Sequence, residues 1–283
     1  MLIDGKQIKP GTLPASALLQ AGSSPIWWPP SLSGLAPGAM DDEFDSTTLD
    51  PNWQFWDAVN NVVRTPSQGL DMFTAFAAPT TVPRYTVHTA GAGARKSWFR
   101  WQVPNATATY YVTKPATLAV GSWMFARLRV GGWAPNDTIA AGSTCVLTLA
   151  GTVSGHPDSN TLVYVGANRV AGNVTMAVRS IDSGASGPNN YSVSNVANST
   201  ALPYVGIYRK TSTTYSFVMF GEDGHVFHGD NEAGGGAQVT ISNIGTLNRV
   251  GVIVSANNGG GTNTTPVQVF GMDFLRESTS LPF

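Results

Sequence analysis

The densest run of titratable side chains is Glu222-Asp223-Gly224-His225-Val226-Phe227-His228-Gly229-Asp230-Asn231-Glu232. A strand's two-residue period would put His228, Asp230 and Glu232 on one face, where they could hold a metal or act as an acid/base pair. The plainer reading carries more weight. Asp223-Gly224 has the chemistry of a tight hairpin turn, and Gly234-Gly235-Gly236 follows, so the segment reads as a solvated hairpin and polar loop. Retaining hydrolysis of a glycosidic bond needs two carboxyl groups about 5–5.5 Å apart, often as Glu-x-Asp-x-Glu on one strand face. No such triplet occurs, and the only glutamates are Glu43, Glu222, Glu232 and Glu277. Gly-x-Ser-x-Gly, His-Glu-x-x-His and phosphate-loop patterns are also missing. The Gly-rich stretch 257–265 joins two strands instead of opening a helix, so it is no phosphate cradle. Cys145 is the single cysteine, so an intrachain disulfide and a CxxC metal site are both ruled out. Its apolar setting, Thr144-Cys145-Val146-Leu147-Thr148-Leu149, marks a buried thiol. The expectation is a chain without enzymatic activity, with no catalytic residue, no metal and no cofactor.

Recognition chemistry fits the residues better. A sugar site combines an aromatic platform with amide or carboxylate groups for hydroxyls. Trp133 stands in the turn Gly131-Gly132-Trp133-Ala134-Pro135-Asn136-Asp137, beside Asn136 and Asp137, and these three with His228 and Asp230 are the candidate glycan contacts. The competing role for Trp133 is a loop ring folded back over the core. Trp53, Trp56, Trp98, Trp101 and Trp123 fall in strand patterns and are expected in the core. No loop spacing supports a Ca²⁺ site.

The elements that would position these residues are short strands. Charged residues make up only 12% of the 283, while Gly (31), Pro (18), Ser, Thr and Asn are abundant. That mix suits strands joined by many turns, because Gly and Asn accept positive φ. Expected strands run over 53–56, 71–75, 84–88, 98–102, 109–113, 118–130, 146–150, 162–166, 174–181, 204–209, 215–221, 226–228, 239–241, 249–255 and 267–275. In the longest, Trp123, Phe125, Arg127 and Arg129 alternate with Met124, Leu128 and Val130. No repeat of roughly 40–50 residues suggests a propeller, so a two-sheet sandwich or jelly roll is expected.

The net charge is −1 with no basic cluster, which argues against a nucleic-acid surface. No run approaches the roughly 20 apolar residues that span a bilayer, and the first ten residues lack the apolar segment of a secretory signal. Synthesis in a cytoplasm is expected, and the Asn-x-Ser/Thr triplets at Asn105, Asn136, Asn173, Asn190, Asn198 and Asn263 then read as loop composition.

Residues 1–40 form an extended N-terminal arm, and 41–283 the sandwich domain. Pro10, Pro14, Pro25, Pro29, Pro30 and Pro37 forbid a continuous helix, with a short helical turn expected over 14–20. The arm is too apolar to stay solvated. Trp27-Trp28 either cover the chain's own sandwich or dock on a neighbouring subunit.

Two resemblances add to this reading. Ile3-Asp4-Gly5-Lys6-Gln7-Ile8-Lys9-Pro10-Gly11-Thr12-Leu13 resembles the start of many bacteriophage fibre and tail-associated proteins, where such a segment attaches the protein to the virion. It implies a structural virion component (fibre, spike or head decoration) made in a bacterial host. Its arm residues Ile3, Lys6, Gln7, Ile8, Leu13, Trp27 and Trp28 would contact capsid, portal or tail proteins, and it would form a homo-oligomer. Three further stretches, 42–53, 204–224 and 249–276, resemble concanavalin-like sandwiches of the laminin-G and legume-lectin kind. They carry Asp42-Glu43-Phe44-Asp45 to Leu49-Asp50-Pro51-Asn52-Trp53, a hairpin from Tyr204 to Gly224, and the closing Val250-Gly251 and Phe270 to Arg276 strands. This implies an all-β concanavalin-like jelly-roll sandwich, its first and last strands paired, that presents a surface for host glycans. The alternative is a polysaccharide-degrading enzyme, a glycoside hydrolase or lyase, on the same fold.

Overall fold

The computed structural model describes residues 2–3, 6–7, 18–21, 24–27, 50–58, 60–65, 71–72, 84–88, 98–104, 108–130, 144–170, 173–182, 185–186, 191–197, 204–220, 226–228, 239–240, 247–256 and 267–279. Strands account for its regular structure. In the first 40 residues, β1 (Leu2–Ile3) pairs with β2 (Lys6–Gln7), and β3 (Leu18–Ala21) with β4 (Ser24–Trp27). The helical turn expected over 14–20 is corrected: Leu18, Leu19 and Gln20 are strand, paired with Trp27, Ile26 and Pro25. An isolated helical turn has too few internal hydrogen bonds to offset its nucleation cost.

Next come β5 (Gln54–Asp57), β6 (Val62–Arg64), β7 (Asp71–Met72), β8 (Arg84–His88), β9 (Trp98–Pro104), β10 (Ala108–Pro115) and β11 (Trp123–Val130). The middle of the chain forms β12 (Thr144–Val153), β13 (His156–Val170), β14 (Asn173–Asp182), β15 (Ala185–Ser186) and β16 (Tyr191–Ala197). The remainder is β17 (Tyr204–Arg209), β18 (Thr214–Phe220), β19 (Val226–His228), β20 (Val239–Thr240), β21 (Arg249–Ala256) and β22 (Val267–Ser278). These build two nine-stranded sheets. Sheet I runs β15-β14-β13-β12-β21-β10-β5-β6, with β16 also on β14. Sheet II runs β19-β18-β17-β11-β22-β9-β8-β7, with β20 on β18. Every pairing is antiparallel except β7 with β8. β1–β2 and β3–β4 join neither sheet.

Alternation explains the layering. Phe55, Val112, Leu147, Leu149, Val163, Val165, Val250, Val252 and Val254 share one face of sheet I, all at most 2% exposed. They meet Met124, Ala126, Leu128, Val205, Ile207 and Leu275 of sheet II, as the contacts of β11, β12, β13, β17, β21 and β22 show. Each such side chain contributes about 1.5–3 kcal/mol by leaving water. Cys145 lies fully buried in this layer, and burial pushes its thiol far up, so it is inert as its sequence context implied. Tyr110 is there too, its hydroxyl pushed up to about 12 by burial and then by the Asp57 carboxylate.

One detail departs from expectation. The strand expected over 118–130 begins only at Trp123, because Gly121 sits at φ 85 in a turn where Ser122 N donates to Ala119 O. The expected pairing of first and last strands turns on the entry segment from residue 42, of which 42–49 lie outside the described residues; among the described strands β22 lies in sheet II between β11 and β9. The expected central hairpin is present as β17–β18, closed where Lys210 N donates to Thr214 O.

Candidate functional site

The other face of sheet I, turned away from sheet II, carries a second apolar cluster. Trp56, Tyr111, Val146, Ala150, Leu162 and Ile253 form it, with partly buried Ala58, Val63, Tyr164 and Ile181 packed against it. One hairpin reaches across this face. β12 and β13 are joined by Ser154 at φ 49 and Gly155 at φ 84, a two-residue turn with both centres left-handed. Register then slips from Gly151↔Asp158 to Ala150↔Leu162, leaving Ser159, Asn160 and Thr161 unmatched. Such a bulge bends a strand pair. The tip thereby reaches β5, where the His156 ring stacks on Trp56, centroids 4.1 Å apart and planes 15° apart.

Trp56 is held from three sides. Tyr111 tilts against it at 4.9 Å, His156 covers its face, and its Nε1 donates to Asn61 Oδ1 at 3.2 Å. Asn61 takes φ 52 in the β5–β6 turn, and the Asp57 carboxylate accepts from Asn60 N and Nδ2 beside it. On the hairpin, His156 Nδ1 lies 2.9 Å from Pro157 O. A carbonyl only accepts, so Nδ1 carries the proton in this bond and Nε2 is left for another partner.

Polar groups border the rings on the same face. Two residues before Trp56 is Gln54, and two after Tyr111 is Thr113. Between them reaches Arg249, only 4% exposed, whose Nε donates to Thr113 Oγ1 at 3.0 Å and whose Nη2 donates to Gln54 Oε1 at 2.6 Å. Burial lowers the Arg249 pKa. Gly251 separates Arg249 from Ile253 on this face; a Cβ there would strike Val112 O and Thr113 Cα, so β21 presses close on β10. At the opposite end Thr109 and Ser255 share a hydroxyl–hydroxyl bond of 2.9 Å.

Sheet II has its own aromatic row on its outward face. Trp123 stacks with Phe125 at 5.3 Å and with Tyr208 at 4.9 Å. Gly206 makes room for the Phe125 ring, which lies 2.5 Å from where a Cβ would stand.

The residues singled out from sequence fare unevenly. Ile3 pairs with Lys6, Gln7 with Leu2, and Trp27 with Leu18, all within the short arm pairs. Ile8, Leu13, Trp28, Trp133, Asn136, Asp137, Asp230 and Glu232 lie outside the described residues. So does the domain boundary at 40/41. His228 is placed only as a strand residue opposite Val218. Trp53 is core at 1% exposure, as expected. Trp56 is also buried, as expected, within the apolar cluster on the outer face of sheet I, whereas Trp123 is partly exposed on the outer face of sheet II, which corrects its assignment to the core. His156 and Arg249 went unnoticed. Ser154-Gly155 between two apolar runs was the available hairpin signal for the first; for Arg249, whose partners Thr113 and Gln54 are 136 and 195 residues away, there was none. Among the described residues no three His, Cys, Asp or Glu side chains gather as a metal site would require.

No protein-family model matches the chain, and no curated protein matches it. Solved structures do. An engineered GH43 glycoside hydrolase with endo-xylanase and exo-arabinofuranosidase activity is 12% identical, matching 86% of this chain and 41% of its own at TM-score 0.48. The GH43 protein BlXynB from Bacillus licheniformis is 13% identical over 84% and 38%, at TM-score 0.42. A Lotus tetragonolobus seed lectin is 10% identical over 73% and 96%, at TM-score 0.41. The chain thus spans about two-fifths of the length of the two hydrolases. The expectation of a chain without enzymatic activity is corrected by these matches, since two of the three are glycoside hydrolases. None of the three is a virion component. The topology itself makes this chain an all-β sandwich of two sheets, the fold expected from its sequence.

Proposed function

We propose that the sandwich binds carbohydrate on the outer face of sheet I, with Trp56 and His156 as its aromatic element. The carrying observation is the 4.1 Å stack of these rings, bordered on one face by Asn61, Gln54, Thr113 and Arg249. Sugar rings present C–H faces to aromatic planes and hydroxyls to amides and guanidinium groups, so this composition suits a pyranose. Half-buried His156 brings both a ring face and Nε2 to the rim. The full-length protein on a glycan array tests the reading. Trp56→Phe and His156→Ala are each expected to weaken the strongest signals at least tenfold. Folded variants that bind as well as the parent would overturn it. Reducing-end release from the bound polysaccharide, measured alongside, tells whether binding leads to hydrolysis.

The arm supports a second proposal, attachment to a particle through residues 1–40. What favours it is that β1–β2 and β3–β4 pair only with each other and join neither sheet. Deleting residues 1–38 should abolish incorporation into the particle; retained incorporation would refute attachment.

A further inference from the structure

We infer that the outer-face site is built for an acidic sugar, with the Arg249 guanidinium as the receptor for its carboxylate or sulfate. This rests on the carbohydrate reading and deepens it. Arg249 is 96% removed from solvent by the 4% exposure of its residue, yet its two hydrogen bonds go to neutral partners, Thr113 Oγ1 and Gln54 Oε1. No carboxylate among the described residues pairs with it. Asp158, opposite Gly151 on the neighbouring strand, uses its Oδ1 to accept from Asn160 N instead. Burial lowers the Arg249 pKa, the direction expected where a cation is withdrawn from water. A guanidinium withdrawn from water is costly without a counter-charge, and none is found among the described residues; proteins keep such costs where function needs them.

The bonding pattern says which edge is free. A guanidinium has five N–H donors. Nε and one Nη2 hydrogen are committed to Thr113 and Gln54, which leaves both Nη1 hydrogens and the second Nη2 hydrogen. That is the end-on fork, whose spacing matches two oxygens of one carboxylate or sulfate. Thr113 and Gln54 hold the fork in place, and Gly251 puts no side chain beside it on the face that also carries Trp56. An anionic substituent on a pyranose stacked at the aromatic pair would supply the missing charge.

The rival explanation is that Arg249 merely ties β5, β10 and β21 together, and stability separates the two. Arg249→Met keeps the volume and removes the buried charge. A receptor predicts an unchanged or raised Tm together with at least tenfold weaker binding of an acidic polysaccharide; a structural tie predicts a lowered Tm. Affinity electrophoresis of the full chain would use polygalacturonate, the same polymer after carboxyl reduction, dextran sulfate and a neutral glucan. Retardation by polygalacturonate or dextran sulfate, lost in Arg249→Met, supports the inference, and the two gels tell carboxylate from sulfate. Arg249→Lys keeps the charge without the fork and is expected to bind several-fold more weakly than the parent. Equal retardation by neutral and acidic polymers, unaffected by Arg249→Met, would sink the anion receptor and leave carbohydrate binding standing. Retardation by none of the polymers and on no array position would sink both.

Discussion

Removing either ring of the Trp56–His156 pair separates what the hairpin does for the fold from what it does for the site. Trp56 is 5% exposed, rests against Tyr111 and donates to Asn61. Truncation of so buried an aromatic costs about 3–5 kcal/mol, the Nε1 bond included at about 0.5–1.5. For a domain of this size each kcal/mol lowers Tm by about 2–4 °C, so Trp56→Ala should melt roughly 6–20 °C early. His156 is only half-buried and its Nδ1 bond is to its own neighbour, so His156→Ala should lose about 1 kcal/mol. The stack itself is worth about 0.5–1.5 kcal/mol beyond area, and it is counted in both single variants. The double variant should therefore be more stable than the sum of the singles by that amount. Thermal melts followed by far-ultraviolet circular dichroism supply all four corners of the cycle. Strict additivity would mean the hairpin tip does not rest on Trp56, and the site as described would be lost.

Three further outcomes follow from named contacts. Gly155→Val forces a β-branched residue to φ 84 in open space, so its cost of about 1–2 kcal/mol is conformational; it should also loosen His156 and weaken glycan signals more than it lowers Tm. Gly206→Ala drives a methyl into the Phe125 ring and Val218, at about 1–3 kcal/mol by urea unfolding, and Phe125→Leu in the same chain should recover part of that loss. Tyr110 keeps its proton up to about pH 12 in the fold but releases it near 10 when unfolded, so stability is untouched below pH 10 and declines between 10 and 12. Allowing for solvent screening, the decline is of order 1–2 kcal/mol; Tyr110→Phe should flatten it in urea midpoints taken across that range.

How much of this was legible in the sequence depended on the range of the interactions involved. Strands such as Arg84–His88, Tyr204–Arg209 and Val226–His228 have the bounds their composition suggests, because alternation and flanking turns are local. The β12–β13 hairpin tip escaped detection because polar His156-Pro157-Asp158-Ser159-Asn160 looks like loop; it is strand only through pairing with Gly151, Thr152 and Val153. Period-two patterns also identify two faces without saying which is inward. Trp56 and Phe55 are adjacent and both buried, yet they serve opposite faces of sheet I.

That ambiguity bears on function. A sandwich needs one apolar face per sheet, and here sheet I has two: the layer toward sheet II, and the cluster around Trp56 and Tyr111. That cluster is itself buried, its six members at most 6% exposed, so it stabilises the fold as well as bordering the proposed site. Beside it Arg249, buried with no counter-charge among the described residues, is a cost on the same face. This departure from the pattern of a plain scaffold, on the face that carries the Trp56–His156 pair, is what motivates the proposed ligand. In the proposed site the aromatic pair would meet the apolar side of that ligand, and Arg249 its charge.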